Sequence, residues 1–330
     1  MRALQLTAVQ TLTPFTIPEP RDPGPGEALV RVHAIGICGT DISGYLGKMP
    51  FMQLPLILGH ELGVEVIAVG DAVTNVKPGD KCSVEPYLNC GHCHSCAKGR
   101  TNCCETLTVL GVHGDGGMCE RLVLPAHKLH PRNTLTFEQL ALVEMLGIGC
   151  HAVNRAQVNA GDPVLIIGAG PIGLTVLEFA RLAGAQVSVF ELNEARRAFV
   201  ERTWPDVRVL TEAPDEASAQ CVFDATGHPG SMSAAIRCAK FTGKVIFVGI
   251  TKEPVPLDDP LFHRRELTLL ASRNAVASDF TRILELIEQG QINTNAWISH
   301  RCTFDELPAA MPEWVKPATG VVKAVVRGPA

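Results

Sequence analysis

Hydrophobic and polar residues alternate in residues 1–35, and this alternation predicts a half-buried β-strand at 27–34. Further strands are expected at 63–70, which is bounded by glycines, at 81–84 after a proline–glycine turn, and at 119–124 after a glycine-rich turn. A strand with one buried face places successive side chains on opposite sides of its sheet, which gives a period of two. We therefore expect a β-rich domain over residues 1–147.

The pattern changes at residue 163, where strands and helices begin to alternate. A fully apolar run at 163–167 leads through a glycine-rich turn into a helical segment at 174–182, and a second apolar strand follows at 187–190. Such alternation is typical of a parallel sheet with right-handed crossovers. The predicted fold class is α/β. The expected organisation is a β-rich domain at 1–147, a doubly wound parallel-sheet domain at 148–290 and a segment at 291–330 that returns to the first domain.

A helix is predicted over 136–147, with Thr136 as its N-cap and Gln139 three residues later. Glu144 lies inside the apolar run of this helix. Because an unpaired carboxylate is costly in apolar surroundings, we expect it to have a partner, either a Lys or Arg side chain or a metal ion. If the partner is a metal ion, Cys150 and His151 are alternative ligands at this point of the chain.

The composition is that of an ordinary globular protein long enough for two domains. The chain has 330 residues, of which 46% are hydrophobic and 19% are charged, and its formal net charge is −5. This charge gives no electrostatic case for a nucleic-acid or anionic-membrane partner. No secretory signal and no apolar run of about 18 residues is present, so the cytoplasm is the expected location.

Twelve cysteines in such a chain are expected to be metal ligands and reduced thiols. Cys90, Cys93 and Cys96 recur at every third position, and Cys104 follows eight residues later. Four thiolates can complete a tetrahedral zinc site with no open position, which is the arrangement of a structural site. Cys103 is an alternative to Cys104 as the fourth ligand.

A second candidate metal site involves Cys38 and His60, which lie 22 residues apart in turns flanked by glycine. Sulfur and imidazole ligands from separate loops suit zinc, and a catalytic zinc ion keeps one coordination position free for water or substrate. Taken alone, such a pair is also compatible with a buried cysteine and a core histidine.

The glycine-rich turn after the first apolar strand has the dinucleotide-binding pattern. The chain has the order of elements that a dinucleotide-binding unit requires: a strand, a turn, a helix, a second strand and a terminal acid, Glu191. Glycine allows a tight turn and a close approach to the pyrophosphate, whose charge meets free amides at the helix N-terminus. The residues predicted to bind the coenzyme in this turn are Gly168, Gly170, Pro171, Ile172 and Gly173.

The acid at the end of the second strand bears on the choice of coenzyme. Glu191 can accept hydrogen bonds from a ribose diol and would repel a 2′-phosphate, so NAD is favoured over NADP. Arg196 and Arg197 follow closely, and an arginine five residues past the acid can reach a 2′-phosphate or the adenine face. NADP therefore stays possible, and a solvated helix surface is the alternative role for both arginines.

Together these motifs resemble the zinc-dependent medium-chain alcohol dehydrogenase superfamily along essentially the whole chain. The resemblance rests on the segments 36–41 and 59–61, the four-cysteine lobe, and the glycine motif with its acid. It implies a GroES-like catalytic domain that holds two zinc ions, one catalytic and one structural. It also implies a Rossmann coenzyme domain and a homo-oligomer, either a dimer or a tetramer.

Within that superfamily the chain looks most like the polyol, threonine and sugar-acid dehydrogenases. In that branch a glutamate is the third protein ligand of the catalytic zinc, and this position falls on Glu144. The segments 110–117 and 272–275 resemble dehydrogenases that oxidise the 5-hydroxyl of aldonic acids such as L-gulonate, L-galactonate or L-idonate. Arg273, in the second segment, is a candidate for binding a substrate carboxylate, with a subunit or coenzyme contact as the alternative.

The resemblance also implies roles around the first zinc cysteine. Thr40 matches the hydroxyl that first accepts the substrate proton, and Asp41 matches the carboxylate that orients His60. Glu61 is expected beside the zinc, as a transient ligand or as its neighbour. Ser43 stands where related enzymes usually carry a relay histidine, so the later proton steps must pass through Ser43, water or the ribose.

The expected function is therefore zinc-dependent, NAD-linked oxidation of a secondary alcohol of a polyol or aldonic acid to the ketone. The alternative is a regulatory or sensor protein that keeps the fold, the zinc ions and the coenzyme but has little turnover. Intact Cys38, Thr40, His60 and Glu144 favour the enzyme.

Overall fold

The computed structural model describes residues 1–49 and 52–329, and this part of the chain contains eighteen strands and nine α-helices. The strands are β1 (Arg2–Ala8), β2 (Thr11–Thr16), β3 (Glu27–Ile37), β4 (Leu56–Ile57), β5 (Glu61–Val69), β6 (Lys81–Val84), β7 (Tyr87–Leu88), β8 (Thr108–Val109), β9 (Arg121–Pro125), β10 (Leu129–Pro131), β11 (Pro163–Ile167), β12 (Gln186–Phe190), β13 (Arg208–Leu210), β14 (Ala219–Asp224), β15 (Ala239–Phe247), β16 (Thr268–Ala271), β17 (Ile298–Thr303) and β18 (Lys323–Arg327). The helices are α1 (Gly39–Tyr45), α2 (His94–Ala97), α3 (Phe137–Ala156), α4 (Pro171–Leu182), α5 (Glu194–Thr203), α6 (Pro229–Cys238), α7 (Asp259–Arg264), α8 (Ala277–Glu288) and α9 (Leu307–Trp314).

The chain divides into two compact units. The first comprises Met1–Glu144 and Val276–Ala330, and the second comprises Met145–Ala275. The predicted boundary at residue 290 differs from this division, because α8 packs in the first unit. Its Phe280 ring stacks on the His130 ring, with the ring centroids 4.9 Å apart.

The first unit is built around a seven-stranded sheet. Six of its strands follow the order β10-β6-β5-β3-β18-β17, and β9 also pairs with β3. The predicted alternation is visible in β3, where Ala28, Val30 and Val32 are fully buried and Arg31 is exposed. Strand β18, from the C-terminal segment, pairs antiparallel with the second half of β3. This pairing brings residues near 325 beside residues near 36.

The second unit contains a six-stranded, all-parallel sheet in the order β13-β12-β11-β14-β15-β16. Its central strands are apolar on both faces, as the short hydrophobic runs predicted, since helices cover them. One face packs Leu165 and Val222 against Ile236 of α6. The glycine-rich turn connects the carboxyl end of β11 to the start of α4. It therefore lies at the edge of the sheet where parallel α/β sheets bind ligands.

Helix α3 is longer than the sequence predicts. The N-cap prediction is confirmed, since the Thr136 hydroxyl accepts a hydrogen bond from the backbone of Gln139 and the Gln139 side chain accepts one from the backbone of Thr136. The predicted end at residue 147 is wrong, and the helix continues to Ala156. Cys150 and Ala156 are fully buried, so tertiary packing outweighs the two glycines near the helix centre. None of the helices in the described ranges combines the length and apolarity needed to cross a membrane.

Candidate functional site

Two neighbouring strand ends bring Cys38 and His60 together. Cys38 directly follows β3 and is the N-cap of α1, and His60 directly precedes β5. Because β3 and β5 pair antiparallel with Gly36 opposite Glu61, the end of one strand meets the start of the other. The candidate ligand atoms of Cys38, His60 and Glu61 all lie within 4.8 Å of one another. His60 and Glu61 are buried and Cys38 is partly buried, so the group offers sulfur, nitrogen and oxygen donors of the kinds that zinc takes.

Asp41 fixes the two turns that carry these donors. Its carboxylate accepts hydrogen bonds from the backbone of Cys38 at 2.9 Å and of Gly59 at 3.3 Å. Its Oδ1 lies 3.8 Å from Nδ1 of His60, a buried nitrogen with no hydrogen-bond partner among the described residues. Although burial opposes a charge on the imidazole, the Asp41 and Cys38 charges raise the pKa of His60 well above its usual value. This environment favours a bound cation at the same place.

Glu144 is buried, but the three-residue donor group does not include it. The Tyr87 hydroxyl donates a hydrogen bond to its Oε1. Burial, followed by the charge of Glu144, raises the pKa of Tyr87 well above its usual value, and burial also raises the pKa of Glu144. The required partner of Glu144 is thus supplied in part by a tyrosine hydroxyl. Tyr87 is a residue that sequence reasoning missed.

A buried lysine pairs with the third member of the donor group. Nζ of Lys323 lies 2.6 and 2.7 Å from the two carboxylate oxygens of Glu61, and it donates a further hydrogen bond to the backbone oxygen of Ile37 at 3.0 Å. The Lys323 and Glu61 side chains are 2% and 0% exposed. Lys323 occupies this place because β18 lies against β3. No local pattern along the chain indicates this ion pair.

The remaining predicted site residues lie at separate places. Thr40 and Ser43 are both on α1, three residues apart, and are therefore neighbours on one face of the helix. Arg273 is exposed in the segment after β16. Cys150 and His151 are buried on α3 and are not part of the donor group.

The four cysteines of the predicted lobe form a second donor group. The sulfur atoms of Cys90, Cys93, Cys96 and Cys104 all lie within 4.8 Å of one another, whereas Cys103 is exposed and outside this group. The backbone N–H of Cys90 donates to Sγ of Cys104 at 3.3 Å, which lowers the pKa of that thiol to about 6. Nδ2 of Asn89 donates to Sγ of Cys96 at 3.6 Å. A cluster of hydrogen-bonded thiols of this kind suits a tetrahedral zinc site.

The glycine-rich turn has the geometry of a pyrophosphate cradle. Gly168 has a φ of +95°, which an L side chain rarely adopts, and a Cβ on Gly173 would lie 1.8 Å from the Gly168 oxygen. Pro171 is the first residue of α4, where its missing N–H costs no hydrogen bond. Glu191 follows β12 and accepts a hydrogen bond from the backbone of Ala169 at 2.7 Å. The loop, the helix start and the acid therefore form one connected site.

Comparison with known families agrees with this geometry. The family profile described as "Alcohol dehydrogenase GroES-like domain" matches residues 24–134, and the profile described as "Zinc-binding dehydrogenase" matches residues 171–289. The predicted fold class, a GroES-like domain with a Rossmann-type parallel sheet, is thereby confirmed.

Similar proteins extend over nearly the whole chain. An L-galactonate-5-dehydrogenase from Escherichia coli strain K12 is 36% identical over 315 residues, which cover 92% of each chain. The solved structure of an alcohol dehydrogenase from E. coli CFT073 complexed with NADH has a TM-score of 0.91 at 26% identity and covers 99% of both chains. That of a zinc-binding dehydrogenase from Sinorhizobium meliloti 1021 bound to NADP has a TM-score of 0.88 at 31% identity, covering 99% of this chain and 98% of the other. This chain is a member of the zinc-binding alcohol dehydrogenase family.

Proposed function

We propose that this dehydrogenase uses zinc and NAD to oxidise a secondary hydroxyl of an aldonic acid or polyol to the ketone. The observation that carries the proposal is the group of Cys38, His60 and Glu61 at the meeting of two strand ends, of which His60 and Glu61 are buried. The coenzyme turn and its acid support the redox partner. The similarity to an L-galactonate dehydrogenase supports the substrate class.

Cys38 and His60 would hold the catalytic zinc, and a carboxylate would complete the protein ligands. A zinc ion at this place supplies a Lewis acid that lowers the pKa of a hydroxyl group. Glu144, the ligand implied by the family branch, is held by Tyr87, and Glu61, the carboxylate within the donor group, is held by Lys323. Both carboxylates are thus oriented by partners inside the protein, which limits how each can approach the metal.

The proton that leaves the substrate hydroxyl during oxidation is assigned to the hydroxyl side chains of α1. Oγ1 of Thr40 would accept it from the substrate hydroxyl while passing on its own hydroxyl proton, and Oγ of Ser43, one helical turn later on that face, water or the coenzyme ribose would receive the released proton. Glu191 and the amides at the start of α4 orient the coenzyme, which carries the hydride. Arg273 is retained as a candidate for the substrate carboxylate.

A second zinc ion is assigned to Cys90, Cys93, Cys96 and Cys104. This lobe has little regular structure of its own, since the helix α2 within it spans four residues. Metal binding to four thiolates would therefore supply the free energy that fixes its fold. Its closed donor set leaves no position for a substrate, so its role is structural.

Homo-oligomerisation is proposed through the outer edge of β16. This strand ends the six-stranded sheet, and Leu269 on it is 39% exposed. An exposed strand edge with an apolar side chain is a template for pairing with a second copy. Strand β2 is also an edge strand with an exposed Phe15, but Pro14 beside it removes a backbone donor. Light scattering should show loss of the oligomer in Leu269→Lys and its retention in Phe15→Lys.

A substrate screen tests the proposed function. The zinc-loaded protein is incubated with NAD and with L-gulonate, L-galactonate, sorbitol or threonine, and NADH formation is followed by absorbance. We expect turnover with an aldonate or a polyol and little with threonine. Binding of zinc and NAD without turnover on any of these compounds would instead support the sensor alternative.

A further inference from the structure

A closed path of side-chain contacts surrounds the tyrosine that holds Glu144. Glu85 lies in the connection between β6 and β7, two residues before Tyr87. Nε2 of His130, on β10, lies 3.3 Å from Oε2 of Glu85. The His130 ring stacks on the Phe280 ring, and the Phe280 and Tyr87 rings meet edge to face, with centroids 6.5 Å apart. The contacts thus lead from Glu85 through two rings and return to Tyr87.

Glu85 fixes the direction of the His130 ring. Nζ of Lys128 donates a hydrogen bond to Oε1 of Glu85, and both side chains are buried. Although burial opposes it, the hydrogen bond from His130 and the charge of Lys128 lower the pKa of Glu85. Glu85 is therefore an ionised carboxylate, which only accepts hydrogen bonds, so Nε2–H of His130 is the donor. This hydrogen bond holds one edge of the ring while the face stacks on Phe280.

The helix α8 holds Phe280 from the other side. The Phe280 side chain is fully buried, near the start of the helix. At the end of the helix, Glu288 accepts hydrogen bonds from the side chains of Arg132, at 3.1 Å, and Thr134. Both of these donors follow β10, the strand that carries His130. The helix is thus attached at both ends to one short part of the chain, and Phe280 has a fixed position between the two neighbouring rings.

The position of the Tyr87 ring determines where its hydroxyl lies. The hydroxyl donates a hydrogen bond to Oε1 of Glu144, and both side chains are buried. This hydrogen bond engages one oxygen of the carboxylate and so limits the directions in which the other can point. Partners of this kind orient the ligands of a metal ion and change its affinity when they are lost. A displaced Tyr87 ring would therefore make Glu144 a poorer zinc ligand.

We propose that His130 is a positioning residue of the catalytic zinc site, which acts through Phe280 and Tyr87 on the carboxylate of Glu144. The inference rests on the proposed function, in which a carboxylate completes the protein ligands of the catalytic zinc. Glu85 holds the His130 ring, and the ring keeps Phe280 against Tyr87. Stacked and edge-to-face pairs suit this role because aromatic rings prefer these geometries over others.

Zinc affinity at Cys38 and His60 tests the proposal without requiring turnover. It is measured by chelator competition on the full chain with the four-cysteine lobe loaded. His130→Leu should weaken it by about 3- to 10-fold, the effect of losing one aromatic pair. His130→Phe keeps a ring on Phe280 and should stay within about 2-fold of the wild type. His130→Leu added to Tyr87→Phe should cause no further loss, because the path ends in the tyrosine hydroxyl.

A similar arrangement in the same unit provides the matched control. The His33 ring stacks on the Phe137 ring with centroids 4.0 Å apart, and its Nε2 lies 2.9 Å from Oε2 of Glu65. Phe137 begins α3, and the Thr136 cap also holds the start of that helix. His33→Leu should therefore change the zinc affinity by less than about 2-fold.

Three results would overturn the proposal. Equal losses of zinc affinity in His130→Leu and His33→Leu would show only a general effect of removing a stacked ring. A further loss when His130→Leu is added to Tyr87→Phe would show that His130 does not act through the tyrosine hydroxyl. A loss in His130→Phe as large as in His130→Leu would show that the ring contact does not position Tyr87.

The failure of this inference and that of the proposed function are distinguishable. If Tyr87→Phe binds the catalytic zinc as tightly as the wild type and keeps its turnover, the inference fails and the proposed function stands. If the wild type binds no zinc at Cys38 and His60, both fail. Melting temperatures separate loss of fold from loss of zinc affinity. Should His130→Leu not fold, His130→Gln replaces it, since it keeps a donor to Glu85 but has no ring.

Discussion

Replacing Lys323 with methionine is expected to destabilise the first unit by about 3–5 kcal/mol, the cost of breaking a buried ion pair. The Lys323 and Glu61 side chains are 2% and 0% exposed, and the ammonium lies within 2.7 Å of both carboxylate oxygens. Methionine keeps the length and the apolar stem of lysine, but it leaves the buried carboxylate without the ammonium group that pairs with it. It also removes the donor to the Ile37 oxygen.

Thermal unfolding of the zinc-loaded protein measures this effect. The first unit has about 200 residues. With an unfolding entropy of about 2.1 cal/mol/K per residue, a loss of 3–5 kcal/mol lowers its melting temperature by about 7–12 °C. Adding Glu61→Gln to the variant should restore part of the loss, because a neutral amide costs less to bury than a carboxylate.

A surface pair provides the matched control. Lys316 and Glu313 form an ion pair at 2.6 Å, but their side chains are 57% and 62% exposed. Lys316→Met should therefore cost less than about 1 kcal/mol. If Lys323→Met lowers the melting temperature no more than Lys316→Met does, the buried pair does not hold Glu61 in place, and the reasoning is refuted.

Three further changes address the other parts of the site. Tyr87→Phe should cost about 1–3 kcal/mol in urea unfolding, because it leaves an oxygen of buried Glu144 without its donor; an unchanged midpoint would argue against that hydrogen bond. Asn89→Ala removes the donor to Sγ of Cys96 and should weaken zinc binding at the four-cysteine lobe by about 10-fold or more in chelator competition, with zinc binding at Cys38 and His60 unaffected. Gly173→Ala places a Cβ 1.8 Å from a backbone oxygen of the coenzyme turn and should abolish NAD binding in calorimetry, and retained affinity would contradict the close packing.

Local patterns were sufficient for the parallel sheet and for the donor pair. The apolar runs at β11 and β12 are short, each follows a turn that contains glycine, and their predicted limits agree with the structure to within one residue. Cys38 and His60 were recognisable because each lies in a glycine-flanked turn next to a strand. Such signals depend on neighbouring residues, which a sequence displays directly.

Partners that are distant in the chain could not be predicted. Tyr87 and Glu144 are 57 residues apart, and Lys323 and Glu61 are 262 residues apart. The register of β18 against β3 and the packing of α3 determine which side chains meet. A local sequence pattern predicts neither of them. A buried acid shows only that it needs a partner, not which residue supplies it.

The position of helix α8 could not be predicted from the sequence either, because its contacts are with residues distant in the chain. The amphipathic pattern of this segment fits the helix Ala277–Glu288, but it does not indicate the unit against which the helix packs. The contacts that decide this are made by Phe280, on the His130 ring, and by Glu288, which accepts hydrogen bonds from Arg132 and Thr134. All three partners lie about 150 residues earlier in the chain, so no local signal marks the boundary.

The zinc content of Cys38→Ser, measured together with its turnover and NAD affinity, tests the central claim most directly. Serine keeps the size of the side chain but removes the thiolate that zinc binds. We predict that the variant holds one zinc ion fewer per chain than the wild type, binds NAD with unchanged affinity and does not oxidise the wild-type substrate. A variant that keeps the wild-type zinc content and full turnover would contradict the assignment of Cys38, and with it the proposed catalytic site.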